Sequence, residues 1–171
     1  LYWTESTTLV WRPNDQGNPE TPGTTEVDAF RKSFAEWDGV MAACSSLRFE
    51  EGPRTRTRVV GDDHENVVMF RTANCNLTVP LADACWGSSL TTEDDVCNDD
   101  YDCLQLGDRV VALTTTTYDP PTGRILDFDI EVNASPDLSG ATFTHTTVDS
   151  PVCTTVYAQT CVAWDVQNTL T

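Results

Sequence analysis

The order of hydrophobic patterns predicts an α+β fold: a twisted mixed sheet of about five strands, one of them an exposed edge, packed on a long first helix, with a second helix starting at the C-terminus. Three observations carry this expectation. Val27, Phe30, Phe34, Trp37 and Met41 recur at three- and four-residue steps, the spacing of one helix face. Val67, Val68, Met69 and Phe70 are consecutive, as in a central strand covered on both sides. Leu126, Phe128, Ile130 and Val132 alternate with Asp127, Asp129 and Glu131, the two-residue period of a strand with one apolar face.

Along the chain, Leu9 to Arg12 reads as a short strand before the turn-rich stretch of Pro13, Asn14, Gly17, Pro19, Pro22 and Gly23. The first helix follows, with Thr25 placed to cap it, Asp28 three residues on, and Gly39 as a stop. Leu47 to Glu50 alternates like a half-buried strand. Arg54, Arg56 and Arg58 share one face of a second extended run, read as solvated. Asn66 to Arg71 is the central strand. Residues 74–108 form an irregular excursion holding four cysteines and many acids, and an excursion of that length is usually functional or stapled. Arg109 to Tyr118 is a Val- and Thr-rich strand, turning at Asp119, Pro120, Pro121, Thr122 and Gly123 into the alternating strand that follows. Finally, Asp165 is placed to cap a helix beginning at Val166.

The chain has 171 residues, 39% of them hydrophobic, enough for one domain with a sizeable core over 1–171. It contains no apolar run long enough to span a bilayer. Starting at Leu1 rather than Met suggests a removed leader. With 27 acidic against 10 basic residues the formal charge is −17, which disfavours nucleic acid and anionic membrane surfaces as partners. Such a surface attracts hard cations, and Asp94, Asp95, Asp99, Asp100 and Asp102 make a candidate calcium cluster, although without EF-hand spacing.

Seven cysteines with no paired CxxC spacing point to disulfides and a secreted, extracellular protein. Proximity suggests Cys153 with Cys161 and pairing among Cys75, Cys85, Cys97 and Cys103. Cys44 is then odd, either free or bonded beyond Thr171. His64 and His145 are isolated and read as an exposed loop residue and an ordinary surface or strand residue. Asp127, Asp129 and Glu131 stand at about 7 Å intervals on one strand face. That spacing is compatible with an inverting glycosidase pair, but a polar sheet face is the simpler reading. Asn76-Leu77-Thr78 and Asn133-Ala134-Ser135 fit the glycosylation triplet, which is frequent by chance. No nucleophile elbow, phosphate loop or thiol-redox motif occurs.

Three segments, in order, resemble the upper subdomain of matrixin-like metzincin zinc proteases, especially their bacterial secreted members. VDAFRKSFAEWDGV followed by LRFEE is similar to the first helix and second strand of that family. VVALTTTTYDPPTGRILDFDIEVN is similar to its edge strand, turn and fifth strand, and WDVQNTLT to the residues just before HExxHxxGxxH. That motif is not in this chain, so the resemblance implies an N-terminal part lacking the zinc ligands and the general-base Glu, and inactive alone. Zinc would belong to the intact enzyme, whose C-terminal half would supply it. Peptide or protein substrates would lie along the edge strand formed by Arg109, Val110, Val111, Ala112, Leu113, Thr114, Thr115, Thr116 and Thr117, since an unpaired strand edge can take a peptide as a further strand. The alternative is a chain complete at Thr171: a non-catalytic extracellular binding module, calcium-dependent if the acidic cluster binds.

Overall fold

A computed structural model describes residues 1–3, 8–21, 23–87, 96–104, 110–136, 144–147 and 163–171. Strand β1 (Thr8–Pro13) turns Leu9 and Trp11 inward. Helix α1 (Thr25–Met41) buries Val27, Ala29, Phe30, Ser33 and Phe34, while Trp37, further along the same stripe, is 39% exposed and hydrogen-bonds through its indole N–H to the Leu170 carbonyl. The helix boundaries differ from those expected. Thr24 is the N-cap and makes no side-chain cap, and the Thr25 hydroxyl accepts from Thr147 at 2.6 Å instead. Gly39 does not stop the helix, which runs on to Met41 and closes with Ala42 N–H on the Asp38 carbonyl.

Strand β2 (Arg48–Glu51) lies parallel to β1, its Phe49 N–H held by the Asp38 carboxylate at 2.9 Å. The extended run expected around Arg54, Arg56 and Arg58 is not a strand. It makes one isolated bridge, Asn14 to Thr55, and Arg58 turns inward rather than facing solvent. Strand β3 (Asn66–Arg71) is buried from Val67 to Arg71 and is the central strand, as its apolar run predicts.

The described parts of 74–108 are more ordered than the sequence suggested. Strand β4 (Ala73–Asn74) pairs in parallel with β5 (Cys103–Leu104), and between them lie helix α2 (Cys75–Thr78), a 3-10 turn (Ala84–Gly87) and helix α3 (Val96–Tyr101). Disulfides Cys75–Cys103 and Cys85–Cys97 staple them, and the four half-cystines cluster with Val79. Such a small unit has little apolar surface of its own, so covalent links substitute for a core. Cys44 is free and exposed. Cys153 and Cys161 lie outside the described residues.

Strands β6 (Ala112–Asp119) and β7 (Arg124–Asn133) form the antiparallel hairpin, with a register shift at Thr117/Tyr118. Gly123 closes the turn at φ 73°, its N–H on the Asp119 carbonyl at 2.7 Å, a left-handed conformation that suits glycine. Strands β8 (Thr144–Thr146) and β9 (Ala163–Asp165) pair in parallel, and helix α4 (Val166–Leu170) follows. Asp165 caps α4 as expected, accepting from Asn168 N–H at 2.8 Å.

The five-stranded sheet runs β2-β1-β3-β7-β6, parallel except for the β6/β7 pair. Helix α1 covers one face. There Trp11 stacks on Phe34 at 4.5 Å and Phe30 on Phe70 at 5.8 Å, with Leu9, Val68, Phe128, Val132 and Val166 completing the core.

Candidate functional site

The edge strand is where the sequence places it. Strand β6 ends the sheet order, so one side of its backbone is not paired within the sheet. The Val111 carbonyl accepts from the Asn133 N–H at 2.9 Å. Val111 is thus opposite Asn133 in a hydrogen-bonded pair, and because such pairs alternate, Leu113, Thr115 and Thr117 also point their backbone at β7. Ala112, Thr114 and Thr116 point theirs outward.

Asn133 holds the start of this edge twice, since its side-chain amide also donates to the Val110 carbonyl at 2.8 Å. Beside it opens a recess of about 790 Å³ lined by Val110, Val111, Ala112, Trp164, Asp165 and Asn168. One wall is therefore the beginning of the edge strand and the other the first turn of α4. That turn is fixed against α1, where the Ser33 hydroxyl donates to the Gln167 carbonyl at 3.0 Å. Of the residues expected on the edge, Ala112 to Thr117 are in the strand, Val110 and Val111 precede it, and Arg109 lies outside the described residues.

Of the candidate calcium ligands, the described ones do not form a metal-holding cluster. Asp94 and Asp95 lie outside the described residues, Asp100 is exposed, and Asp99 and Asp102 each accept from Arg71 at 3.0 Å. Asp102 also pairs with Arg58. No group of three or more His, Cys, Asp or Glu with metal-holding geometry occurs among the described residues. His64 is exposed, in line with its reading. His145 lies in β8 and is not on the surface: it is 1% exposed, edge-on to Phe70, with Nε2 2.7 Å from the Asn133 carbonyl, and burial lowers its pKa. Of the glycosylation triplets, Asn76 is exposed, whereas Asn133 is buried and bonded.

The sequence reading missed the other face of the sheet. Asp127, Asp129 and Glu131 share a face as predicted, but it is not solvated: they are 1%, 1% and 0% exposed. Arg71, itself 0% exposed, donates to Glu131 at 2.6 Å and to the carbonyls of Asn98 and Arg58, besides Asp99 and Asp102. Burial works against the Arg71 charge, but Glu131 and its other acidic partners outweigh it and the guanidinium pKa is raised; that of Arg58, where burial dominates, is lowered.

Burial followed by the Asp63 charge raises Asp127, whose Oδ1 has no hydrogen-bond partner. Burial brings Asp129 up to about 7, against the opposing pull of the Gly61 and Val67 N–H groups. Three carboxyls tied to backbone amides and a guanidinium leave no space for a sugar between them, so the geometry serves cohesion rather than glycoside hydrolysis. A signal was present: if β3 is covered on both faces, the next strand's polar face is covered too, and Arg58 and Arg71 are the charges to match it.

No family model, curated protein or solved structure matches the chain.

Proposed function

We propose that the chain is the N-terminal part of a secreted zinc-dependent endopeptidase of the matrixin-like metzincin kind, contributing the sheet and the strand along which an extended peptide lies. The observation that carries the reading is the arrangement at the edge: backbone groups of Ala112, Thr114 and Thr116 point outward along a strand whose start, at Ala112, borders a recess with the capped first turn of a helix as its far wall. A peptide added antiparallel to β6 would gain backbone hydrogen bonds that tolerate varied sequence, as a general endopeptidase needs. The two disulfides suit an oxidising, extracellular-type environment, and no described helix is long and apolar enough to cross a membrane.

The described residues do not fit zinc, for they hold no ligand set. The metal and the general base would then belong to the C-terminal half. Calcium remains in the proposal only through Asp94, Asp95 and Asp100, since Asp99 and Asp102 are held by arginine.

The test is the coding sequence after Thr171 together with the product it encodes. His-Glu at that point, and peptide cleavage abolished by a chelator and restored by zinc, are expected. A stop codon there, or cleavage indifferent to chelation, overturns the reading; the stop codon favours the extracellular binding module.

A further inference from the structure

The carboxyl ends of β1, β2 and β3 open on a second recess, of about 410 Å³, a size common among small-molecule sites. Asp15, Asn18 and Thr21 reach it from the loop after β1, Arg54 from the segment after β2, Thr72 from the end of β3, and Glu26 from the first turn of α1. Open parallel sheets hold ligands in this position, outside the carboxyl ends of their strands. The polar groups there are poorly served by the protein itself. Glu26 is 2% exposed, and no basic side chain pairs with it among the described residues. Its Oε2 has the Thr21 hydroxyl at 2.8 Å, but that hydroxyl also stands 3.0 Å from the Asn18 carbonyl and has one proton to give. Its Oε1 has no hydrogen-bond partner among the described residues, and a Cβ added at Gly17 would come within 2.8 Å of it. Asn18, 5% exposed, is oriented by the Glu20 N–H on its Oδ1 at 3.0 Å, and its Nδ2 is unpartnered. Arg54 is exposed and makes no ion pair among the described residues.

A buried carboxylate without a cation and a buried amide without an acceptor are both costly, and one ligand would relieve both. We propose that this recess binds a zwitterion carrying an ammonium and a carboxylate, as a free amino acid or a short peptide does. The ammonium lies on Glu26 and the carboxylate on Arg54, with the Asn18 amide as a further donor. The lining decides between ligand classes. A bare anion at the start of α1 would gain from the helix dipole but would meet the Glu26 carboxylate. A bare divalent cation would meet Arg54 and a single uncommitted acid, because Asp15 is paired with Arg56 at 2.9 Å, whereas calcium takes about six to eight oxygens. A ligand bearing both charges meets neither objection. Gly17, at φ 61°, keeps the loop free of a side chain against Glu26. None of this depends on what β6 binds.

Amide chemical shifts of the protein titrated with alanine, alanylalanine and trialanine test the site, with N-acetylalanine, alaninamide and calcium chloride as controls. At least one of the three zwitterions should saturate at millimolar concentration and move the Gly17, Asn18 and Glu26 amides together. Saturation by alanine names a free amino acid as the ligand, and saturation by the longer probes alone names a peptide. N-acetylalanine and alaninamide, each with one charge removed, should bind about tenfold or more weakly, as loss of a charged hydrogen bond predicts. Arg54→Ala, at an exposed position, should weaken the zwitterion about tenfold and leave alaninamide unchanged, whereas Glu26→Gln should weaken both. Absence of saturation by all three zwitterions, equal binding of N-acetylalanine, or movement of the same amides by calcium chloride instead overturns the proposal. Should Glu26→Gln fail to fold, Arg54→Ala decides, and an unchanged affinity for the zwitterion overturns the proposal too.

Discussion

The two faces of β3 and β7 are both sealed from water, but by opposite means. Toward α1 they present Val68, Phe70, Phe128 and Val132 to a layer of aromatic rings. Away from it they present Arg71, Asp127, Asp129 and Glu131 to a network of charges and backbone amides, beside a small apolar cluster of Val67 and Met69 with Val60. The apolar face gains from area removed from water and tolerates approximate shapes. The charged face must satisfy each group individually, because a buried charge without its partner costs far more than a lost contact. One side of the sheet is thus built mainly of groups that do not titrate, apart from His145 against Phe70, and the other of groups that do.

The largest effects should come from the centre of each face. Phe30→Ala removes a ring packed on both Trp11 and Phe70, and should cost about 3–5 kcal/mol. Arg71→Leu removes the buried guanidinium that Glu131, Asp99 and Asp102 share, and should cost a similar ~3–5 kcal/mol. The comparison predicts a difference in rescue. Adding Glu131→Gln to the arginine variant should recover part of its loss, whereas no charge change should help the phenylalanine variant. Urea unfolding of the four proteins checks this, and equal behaviour of the two faces would erase the distinction.

The apolar face was legible in the sequence because periodicity names it directly: Val27, Phe30 and Phe34 on α1 and Phe128 and Val132 on β7 all pack as their spacing requires. The charged face was not. Alternation tells which residues share a side of β7, but not whether that side meets water, and acids default to solvent in any such reading. What covers them, Arg71 with α3 and the 58–65 segment, is joined only by long-range contacts that no local pattern encodes. The edge strand was legible because its Thr-rich, half-buried character differs from its neighbour's. The recess beside it was not, since it needs β9 and α4 brought across from a distant part of the chain.

Opening the Cys75–Cys103 bridge probes the charged face from its rim, because that bridge holds the unit from which Asp99 and Asp102 reach Arg71. With the cysteines separated by 28 positions in sequence, replacing both by serine should cost about 2–4 kcal/mol. The exchange protection lost should concentrate in α3 and around Arg58, and leave α1 alone. Loss spread evenly over both faces would mean that the stapled unit is not a separate support.

A further effect separates the faces by pH. Asp129 ionises near an ordinary 3.8 when unfolded but at about 7 in the fold. Between those values the folded state binds a proton that the unfolded chain does not, so this contribution to stability is complete below the lower value and is lost as pH rises through the upper one. The slope should approach about 1.4 kcal/mol per pH unit. In Asp129→Asn it should vanish, while in Phe30→Ala it should persist unchanged. Urea midpoints from pH 4 to 8 measure it, and parallel curves for wild type and Asp129→Asn would show that Asp129 does not titrate differently in the fold.

The smallest effect on stability belongs to the strand at the sheet's edge, and there it is the alternation of backbone direction that can be broken. Proline removes an N–H donor and fixes φ near an extended value, so it is tolerated in a strand only where that N–H faces away from the ladder. Because Val111 is bonded to Asn133, the N–H of Thr115 points at β7 and that of Thr114 points out. Thr115→Pro should therefore cost the fold a ladder bond and lower its urea midpoint, whereas Thr114→Pro should fold nearly as well as the parent. In the intact peptidase proposed above, the order should invert for function. Thr114→Pro removes a donor that a docked peptide would use, worth about 0.5–1.5 kcal/mol, or up to roughly tenfold in kcat/KM. Thr115→Pro, assayed under conditions where it is folded, should lose less. If Thr114→Pro turns over extended peptides as well as the parent while Thr115→Pro is destabilised as expected, the register is right but β6 is not the surface on which substrate lies.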